Sequence, residues 1–327
     1  MKSFFFISLL TLISIYFQSF EIKLEENIIV HKIDEDENIE AIYTFDKNGH
    51  LLSHSGKILS KNENGERESY QVETYYKYDT SNVIRDQRTI RIKEDGSIKS
   101  EKTVEFIYSY NLNKQPVKLI IRDKKSLQVH LERECFYEPN TGKLLRVNQI
   151  LVGKTLENSE KIDTALYHHT ERTTFNYDES GALKKGIITR EQDQILEIYK
   201  RNNNNNKFTL TRYYEQGDTK ELVRRITQTY NKDNELKKYI IDAFLEGHLP
   251  RQEIKFYYNG LINQIKGKYH FPSNRTHSKN DKFILDSKKR ILDQKTINLI
   301  NKTIIKKETG QTILKDYVLK NPYITFY

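Results

Sequence analysis

The chain has 327 residues and a formal net charge of +9, from 54 basic and 45 acidic residues. Hydrophobic residues make up only 36%, yet 22 Tyr and 15 Phe are present, which excludes an intrinsically disordered chain because such chains are poor in aromatic residues. The single cysteine, Cys135, excludes a disulfide scaffold. Since the basic residues are spread along the chain, no nucleic-acid partner is indicated. A solvated surface of mixed charge and a surface for an anionic polymer both stay open.

The first twenty residues are predicted to be a secretory signal peptide. Lys2 precedes an apolar-rich run over residues 4–17, and polar sequence begins at Glu21. A helix of that length reaches about 21 Å, which is short of the ~30 Å hydrocarbon core of a bilayer. The pattern favours export and cleavage near residue 20, with a retained anchor as the alternative. No integral membrane domain is predicted beyond this segment.

The body of the chain repeats one local pattern, in which a strand ends in an aromatic residue and is followed by Asp or Asn, a turn and an aliphatic residue. Residues 43–51 and 175–183 carry it most clearly. The Asp side chain can accept hydrogen bonds from the backbone ahead of it, and Gly three positions later takes a positive φ without steric cost. The spacing predicts hairpins with a type I turn and a bulge, and positive φ at Gly49 and Gly181. A calcium loop is not predicted, because it needs more oxygen ligands at fixed steps.

Between the turns the residues alternate with period two. Over residues 70–78, one face of the alternation carries Tyr70, Val72, Thr74, Tyr76 and Tyr78. Such alternation is typical of antiparallel strands with one face in the core and one in water. The first aromatic anchors, Phe45, Tyr78 and Tyr110, recur at about thirty residues, a period typical of repeat architectures. The fold class predicted is therefore all-β: a long antiparallel meander of hairpin repeats, curled or shell-like.

The predicted organisation has three parts. A signal peptide covers residues 1–20, a β-hairpin repeat domain covers 21–270, and a C-terminal segment of further hairpins or a short helix covers 271–327. The boundary is placed at the polar stretch 271–281. The helix alternative lies over 287–302, where Ile and Leu loosely match helical spacing, and 308–311 resembles a turn. The Asn-rich residues 202–206 are predicted to be a hairpin loop.

The repeated pattern at residues 43–51 and 175–183 resembles the YD (RHS-type) repeat, and it is also similar to the repeats of bacterial β-hairpin proteins. The resemblance extends over about residues 40–270. It implies a long antiparallel meander, which in some members of these families curls into a shell around a cargo domain. It brings no catalytic residues with it.

Residues that could carry chemistry are few. Nine histidines are scattered along the chain: His31, His50, His54, His130, His168, His169, His248, His270 and His277. Their spacing does not assemble the three or four ligands of a zinc site, and Cys135 is expected to pack inward as a small hydrophobe. No catalytic, cofactor-binding or metal-binding residue is therefore assigned, and no cofactor is expected.

Three functional hypotheses remain at this stage. The first is an exported, non-enzymatic repeat protein of the periplasm, cell surface or extracellular space, acting as scaffold or binding surface. Its partner is unknown, with an anionic envelope polymer or another envelope protein as possible candidates. The second is a secreted hydrolase without a recognisable motif, and the third is a component of a secreted toxin or contact-dependent system.

Overall fold

Antiparallel strands account for most of the described chain. The computed structural model describes residues 27–61, 67–154, 166–190, 193–202, 206–244, 251–271, 275–286, 292–310 and 313–319. The predicted signal peptide lies outside the described residues. Within them the strands are β1 Ile28–Ile33, β2 Ile39–Phe45, β3 Leu51–Lys61, β4 Arg67–Tyr78, β5 Ile84–Ile92, β6 Ile98–Tyr110, β7 Pro116–Asp123, β8 Val129–Tyr137, β9 Leu144–Lys154, β10 Leu166–Tyr177, β11 Leu183–Thr189, β12 Gln194–Arg201, β13 Lys207–Gln216, β14 Thr219–Tyr230, β15 Leu236–Ala243, β16 Arg251–Asn259, β17 Leu261–His270 and β18 Thr276–Asp286.

These 18 strands form one closed sheet in the described part of the chain. Each strand pairs antiparallel with the next along the sequence, from β1–β2 to β17–β18. The ring closes where β18 pairs with β1, with Ile29 opposite Asp286 and Ile33 opposite Lys282. The result is an up-and-down barrel without a free sheet edge. The predicted all-β meander and shell-like sheet are confirmed.

The turns at one end of the barrel follow the predicted chemistry. The Oδ1 atom of Asp46 accepts hydrogen bonds from the backbone nitrogens of Asn48 at 2.9 Å and His50 at 2.8 Å. Gly49 has φ 85° and Gly181 has φ 80°, which confirms both predictions. Three further copies place a non-glycine residue in the same region, with φ values of 59°, 58° and 64° at Asn82, Lys114 and Asn234.

Tyrosine hydroxyls bind neighbouring hairpins together at the same end. A tyrosine at or next to the end of an even-numbered strand donates to the carbonyl oxygen of the first residue of the preceding odd-numbered strand. Four pairs do this: Tyr78 to Leu51, Tyr137 to Pro116, Tyr177 to Leu144 and Tyr258 to Leu236, at 2.8, 2.9, 2.7 and 2.7 Å. The recurring aromatic residue therefore has a packing role and a hydrogen-bonding role, which explains why Tyr is so common at this position.

The inner and outer faces of the barrel differ sharply. In β4 the predicted apolar face is the inner one, where Tyr70, Thr74 and Tyr76 are buried. Large side chains with less than 2% exposure also point inward, among them Tyr43, Phe45, Leu119, Phe208 and Tyr239. The outer face carries charged pairs such as Arg88–Glu101 and Lys238–Glu253.

Two helices follow the last strand and lie inside the barrel. Helix α1 covers Gln294–Thr309 and helix α2 covers Leu314–Leu319. On α1, Ile300 and Ile304 are fully buried. The helix contacts inward-facing groups of strands from different parts of the ring, with Asn301 bonded to Ile262 of β17, and Lys307 to Tyr76 of β4. Because Lys307 contacts Tyr76 and Glu308 contacts Tyr43, both of them inward-facing side chains, the helix lies on the inner side of the sheet.

The C-terminal segment differs in detail from what its sequence indicates. The expected boundary near residue 271 falls within the β17–β18 hairpin, since β18 pairs with both β17 and β1. The helix alternative over 287–302 is shifted. It starts after Asp293, whose side chain caps it by accepting from the Thr296 nitrogen at 2.8 Å, and it ends at the left-handed Gly310. Residues 308–310, expected in a turn, therefore hold the helix end.

Candidate ligand-binding cleft inside the barrel

A cavity of about 710 Å³ lies between α1 and the wall formed by strands β3–β8 and their turns. We call it the tyrosine cleft. Its lining comprises Gly49, His50, Leu51, Tyr76, Tyr78, Asn82, Val83, Ile84, Gln87, Tyr108, Tyr110, Lys114, Gln115, Pro116, Tyr137, Leu299, Thr303, Lys306, Lys307 and Gly310. Small-molecule sites usually measure about 300–1,000 Å³, so the cleft has the size of such a site.

The repeat pattern places the tyrosines of the wall. Tyr76 and Tyr78 end β4, Tyr108 and Tyr110 end β6, and Tyr137 ends β8. Because these strands end at the same rim and their side chains alternate, the repeat brings five tyrosines into one inner wall. Burial raises the pKa of Tyr76 to about 12 and also raises that of Tyr137, so both hydroxyls stay protonated. Tyr137 donates its hydroxyl hydrogen to the Pro116 carbonyl, whereas the Tyr76 hydroxyl accepts from Lys307 and still has its hydrogen to donate.

The opposite wall of the cleft is one face of α1. Leu299, Thr303 and the adjacent Lys306 and Lys307 lie three or four residues apart from one turn to the next, which keeps them on one side of the helix, and Gly310 follows at its end. Lys307 donates to the Tyr76 hydroxyl, and its Nζ lies 5.0 Å from the centroid of the Tyr76 ring. Both lysines are exposed over part of their surface, yet the surrounding wall partly desolvates them. This desolvation lowers the pKa of both, and the Lys307 charge lowers the Lys306 pKa further.

A second cluster of charges fixes the C-terminal end of α1 to the barrel. We call it the Lys32 cluster. Lys32 of β1 lies 2.8 Å from Glu308, 3.2 Å from Glu40 and 3.4 Å from Asp281. Tyr43 also donates to Glu308. Burial alone would lower the pKa of Lys32, but the Glu308 and Asp281 carboxylates raise it overall. Lys279 of β18 completes the cluster, 3.1 Å from Glu40 and 3.2 Å from Asp281. The cluster is a largely buried set of paired charges with a structural role.

The histidine side chains that the structure describes do not converge on a common site. His50 is at the rim, with Nδ1 3.0 Å from Asp46, whereas the His54 ring packs 4.7 Å from the Tyr43 ring. Burial, together with the nearby Lys307 charge, lowers the pKa of His54 to about 4, so it is neutral near pH 7. His31 lies 3.4 Å from Asp286. The backbone of His168 and His169 lies in β10, and His248 is outside the described residues.

Metal and thiol chemistry find no support in the described part of the chain. There, no group of three or more His, Cys, Asp or Glu side chains could hold a metal ion. Cys135 is on the inner face and only 6% exposed, and burial raises the pKa of its thiol to about 11. A thiol so rarely ionised is a poor nucleophile.

Sequence reasoning missed two features of the cleft, namely the position of the helix against the inner wall and the lysine pair at the end of that helix. The tyrosine repeat was visible in the sequence. The lysines gave no signal, because in a chain with 54 basic residues only the fold distinguishes Lys306 and Lys307 from the others.

Fold and cleft together define a closed antiparallel β-barrel that encloses its own C-terminal helices beside an internal cavity. No protein-family model matches the chain, and no curated protein matches its sequence. Among solved structures, it is similar to a porin-like protein from Bacteroides uniformis, with 8% identity and a TM-score of 0.39 over 80% of this chain and 97% of that one. It is also similar to the Photorhabdus luminescens Tc holotoxin pore, with 12% identity and a TM-score of 0.23 over 72% of this chain and 16% of that chain.

The helices can also be compared with what a membrane span requires. Of the helices in the described ranges, none has the length and apolar character needed to cross a membrane.

Proposed function

We propose that this chain is an exported, non-enzymatic binding protein of the cell envelope or surface, and that it binds a small molecule inside its shell. The observation that carries this proposal is the tyrosine cleft, a cavity of about 710 Å³ between the barrel wall and α1. A barrel of 18 strands has a wide interior. Here α1 lies against the wall and leaves a cavity of the size that small-molecule sites usually have.

The charges on the outer face favour the interior as the binding surface. Outer bases lie beside acids of neighbouring strands, as in Arg88–Glu101 at 2.7 Å, Lys238–Glu253 at 3.0 Å and Lys124–Asp86 at 2.9 Å. Paired charges on an exposed sheet attract a polyanion less than unpaired ones do, because each base is already partly neutralised. Such a face suits a well-solvated shell.

A second candidate function is supported by the enclosed helices. A shell that holds its own C-terminal segment agrees with the YD-type resemblance and with a component of a secreted toxin or contact-dependent system. Leu314 at the start of α2 donates its backbone N–H to Gln228 of β14 at 2.8 Å, and Asn301 of α1 donates to the Gly260 carbonyl at 3.1 Å. These bonds tie the segment to the wall, which favours a permanent part of the barrel over a cargo for release.

Native mass spectrometry of the full-length protein from cells that produce it tests the proposal. We expect it in the extracytoplasmic fraction, shortened near residue 20, with a noncovalently bound species of small-molecule mass. Thr303→Phe, which fills the cleft from the helix side, should lose that species, whereas the matched control Thr303→Ser should retain it. Full-length protein in the cytosol would contradict export, and a species bound equally by both variants would contradict binding in the cleft.

A further inference from the structure

The tyrosine cleft holds its aromatic rings in fixed positions. Tyr78 and Tyr137 each donate their hydroxyl hydrogen to a carbonyl oxygen of a neighbouring hairpin, at 2.8 and 2.9 Å. The ring centroids of Tyr108 and Tyr110 lie 6.2 Å apart, and the two ring planes differ by only 24°. The wall therefore presents flat apolar faces whose orientation is set before a ligand binds, which lowers the entropy cost of binding.

Neutral polar groups lie beside these rings. Gln87 is opposite Tyr76 in the neighbouring strand, on the same inner face. Its amide Nε2 is 3.5 Å from the Thr89 Oγ1 atom, which is longer than an ordinary hydrogen bond. The Tyr76 hydroxyl accepts from Lys307 and keeps its own hydrogen to donate. Amide and hydroxyl can thus both bond a polar ligand in the cleft.

The lining favours one class of ligand. It includes three lysines, Lys114, Lys306 and Lys307, which disfavours a cation. An entirely apolar ligand would cover the Gln87 amide and the Tyr76 hydroxyl with groups that cannot bond them, which costs free energy. A ligand that fits has a flat apolar face for the rings and hydroxyls at its edge. A sugar ring has this form, because its C–H groups share a face and its hydroxyls both donate and accept.

We infer that the tyrosine cleft binds a short saccharide, with one sugar ring against Tyr108 and Tyr110 and hydroxyls bonded to Gln87 and Tyr76. This inference deepens the proposed function and rests on it. The volume of about 710 Å³ is large for a single sugar ring and suits a short chain. The tyrosine rings supply the contact area, and the amide and hydroxyl select for a sugar over an apolar molecule.

Saturation-transfer difference NMR on the full-length protein tests the inference, because it detects the weak binding that is common for sugars. The ligands are maltose, cellobiose, lactose and N,N′-diacetylchitobiose. Sorbitol is the control, since it carries similar hydroxyls without a ring. We expect at least one disaccharide to receive saturation, most strongly at the C–H protons of one ring face, and sorbitol to receive none.

Variants locate the binding site. Tyr110→Ala should lower the affinity for the bound disaccharide by about tenfold. Tyr257→Ala is the matched control and should leave it unchanged, because Tyr257 is 41% exposed, against 42% for Tyr110, but lies on the outer face. An unchanged unfolding midpoint confirms that both variants are folded. The comparison of disaccharides with sorbitol in the wild-type protein decides the question if they are not.

Gln87→Leu tests the selection for hydroxyls. It keeps the side chain's size and removes its amide, so disaccharide affinity should fall by about tenfold. N-phenyl-1-naphthylamine, which has rings but no hydroxyl, should bind this variant at least as tightly as the wild-type protein.

The outcomes separate the two claims. Absence of saturation in all four disaccharides, equal losses in Tyr110→Ala and Tyr257→Ala, or an unchanged disaccharide affinity in Gln87→Leu overturns the saccharide inference. The proposed function survives that result if native mass spectrometry shows a bound species that Thr303→Phe loses. If Thr303→Phe retains the species and leaves disaccharide binding unchanged, the saccharide inference and the proposed function fail together.

Discussion

The Lys32 cluster and the tyrosine cleft both place lysines beside α1 in the barrel interior, but the partners of these lysines differ. Lys32 has carboxylates at 2.8, 3.2 and 3.4 Å, so its charge is balanced and holds α1 against the wall. Lys307 lines the tyrosine cleft and contacts the neutral hydroxyl of Tyr76. A lysine held by several carboxylates contributes to stability, and we expect a lysine bonded to a neutral hydroxyl to contribute less.

The largest expected effect comes from removing the balanced charge. Lys32→Met leaves the carboxylates of Asp281 and Glu308 close together in a mostly buried site, where Lys279 still pairs with Asp281, so we expect a loss of about 3–5 kcal/mol in the free energy of unfolding. Lys307→Met, the matched change in the cleft, should cost about 1 kcal/mol because Lys307 contacts the neutral hydroxyl of Tyr76. Urea denaturation measures both. Similar losses in the two variants would remove the distinction between cluster and cleft.

The turn glycines are expected to have a smaller effect. Gly181 has φ 80°, and a side chain there is strained whatever the space around it. Gly181→Val should therefore lower the free energy of unfolding by about 1–3 kcal/mol. Gly186→Ala is the control, because a Cβ at that strand position would meet only ordinary contacts, at 3.5 Å or more. An unchanged unfolding midpoint for Gly181→Val would mean that the turn is wrongly assigned.

The hydroxyls of the strand-end tyrosines are expected to have the smallest effect. Tyr177→Phe removes the 2.7 Å hydrogen bond to the Leu144 carbonyl and keeps the ring, so we expect a loss of about 0.5–1.5 kcal/mol. Tyr257→Phe, at an exposed ring on the outer face, should be neutral. Thermal unfolding of the two variants distinguishes them. Equal behaviour would show that the hydroxyl-to-carbonyl bonds between hairpins contribute nothing to stability.

The hairpins could be predicted from the sequence because their signals are local. Period-two alternation and the Asp-to-Gly spacing at residues 46–49 concern neighbouring residues, and Gly49 and Gly181 have the predicted φ. Ring closure could not be predicted, since pairing between β1 and β18 joins residues about 250 positions apart. The polar stretch 271–281 was interpreted as a domain boundary, but its second half belongs to β18, the strand that closes the ring. This strand lacks an apolar inner face there because its inward residues Lys279 and Asp281 belong to the Lys32 cluster.

The cleft could be predicted only in part. Its tyrosines come from the repeat and were visible in the sequence, but their role was not. The helix that forms the opposite wall was expected too early in the chain, although Asp293 and Gly310 are ordinary cap residues that mark its ends. That α1 lies inside the barrel follows from long-range contacts, such as Asn301 with Ile262, and no local pattern encodes these.

The position of α1 inside the closed sheet is the central claim, and hydrogen–deuterium exchange tests it most directly. The side chains of Ile300 and Ile304 are fully buried against the wall, so their amides exchange only when the helix separates from the wall, and we expect them to be as strongly protected as those of β1 and β2. Destabilising the ring with Lys32→Met should accelerate exchange of helix and strands together. Fast exchange of α1 while the strands stay protected would contradict the account, because it would place the helix outside the barrel.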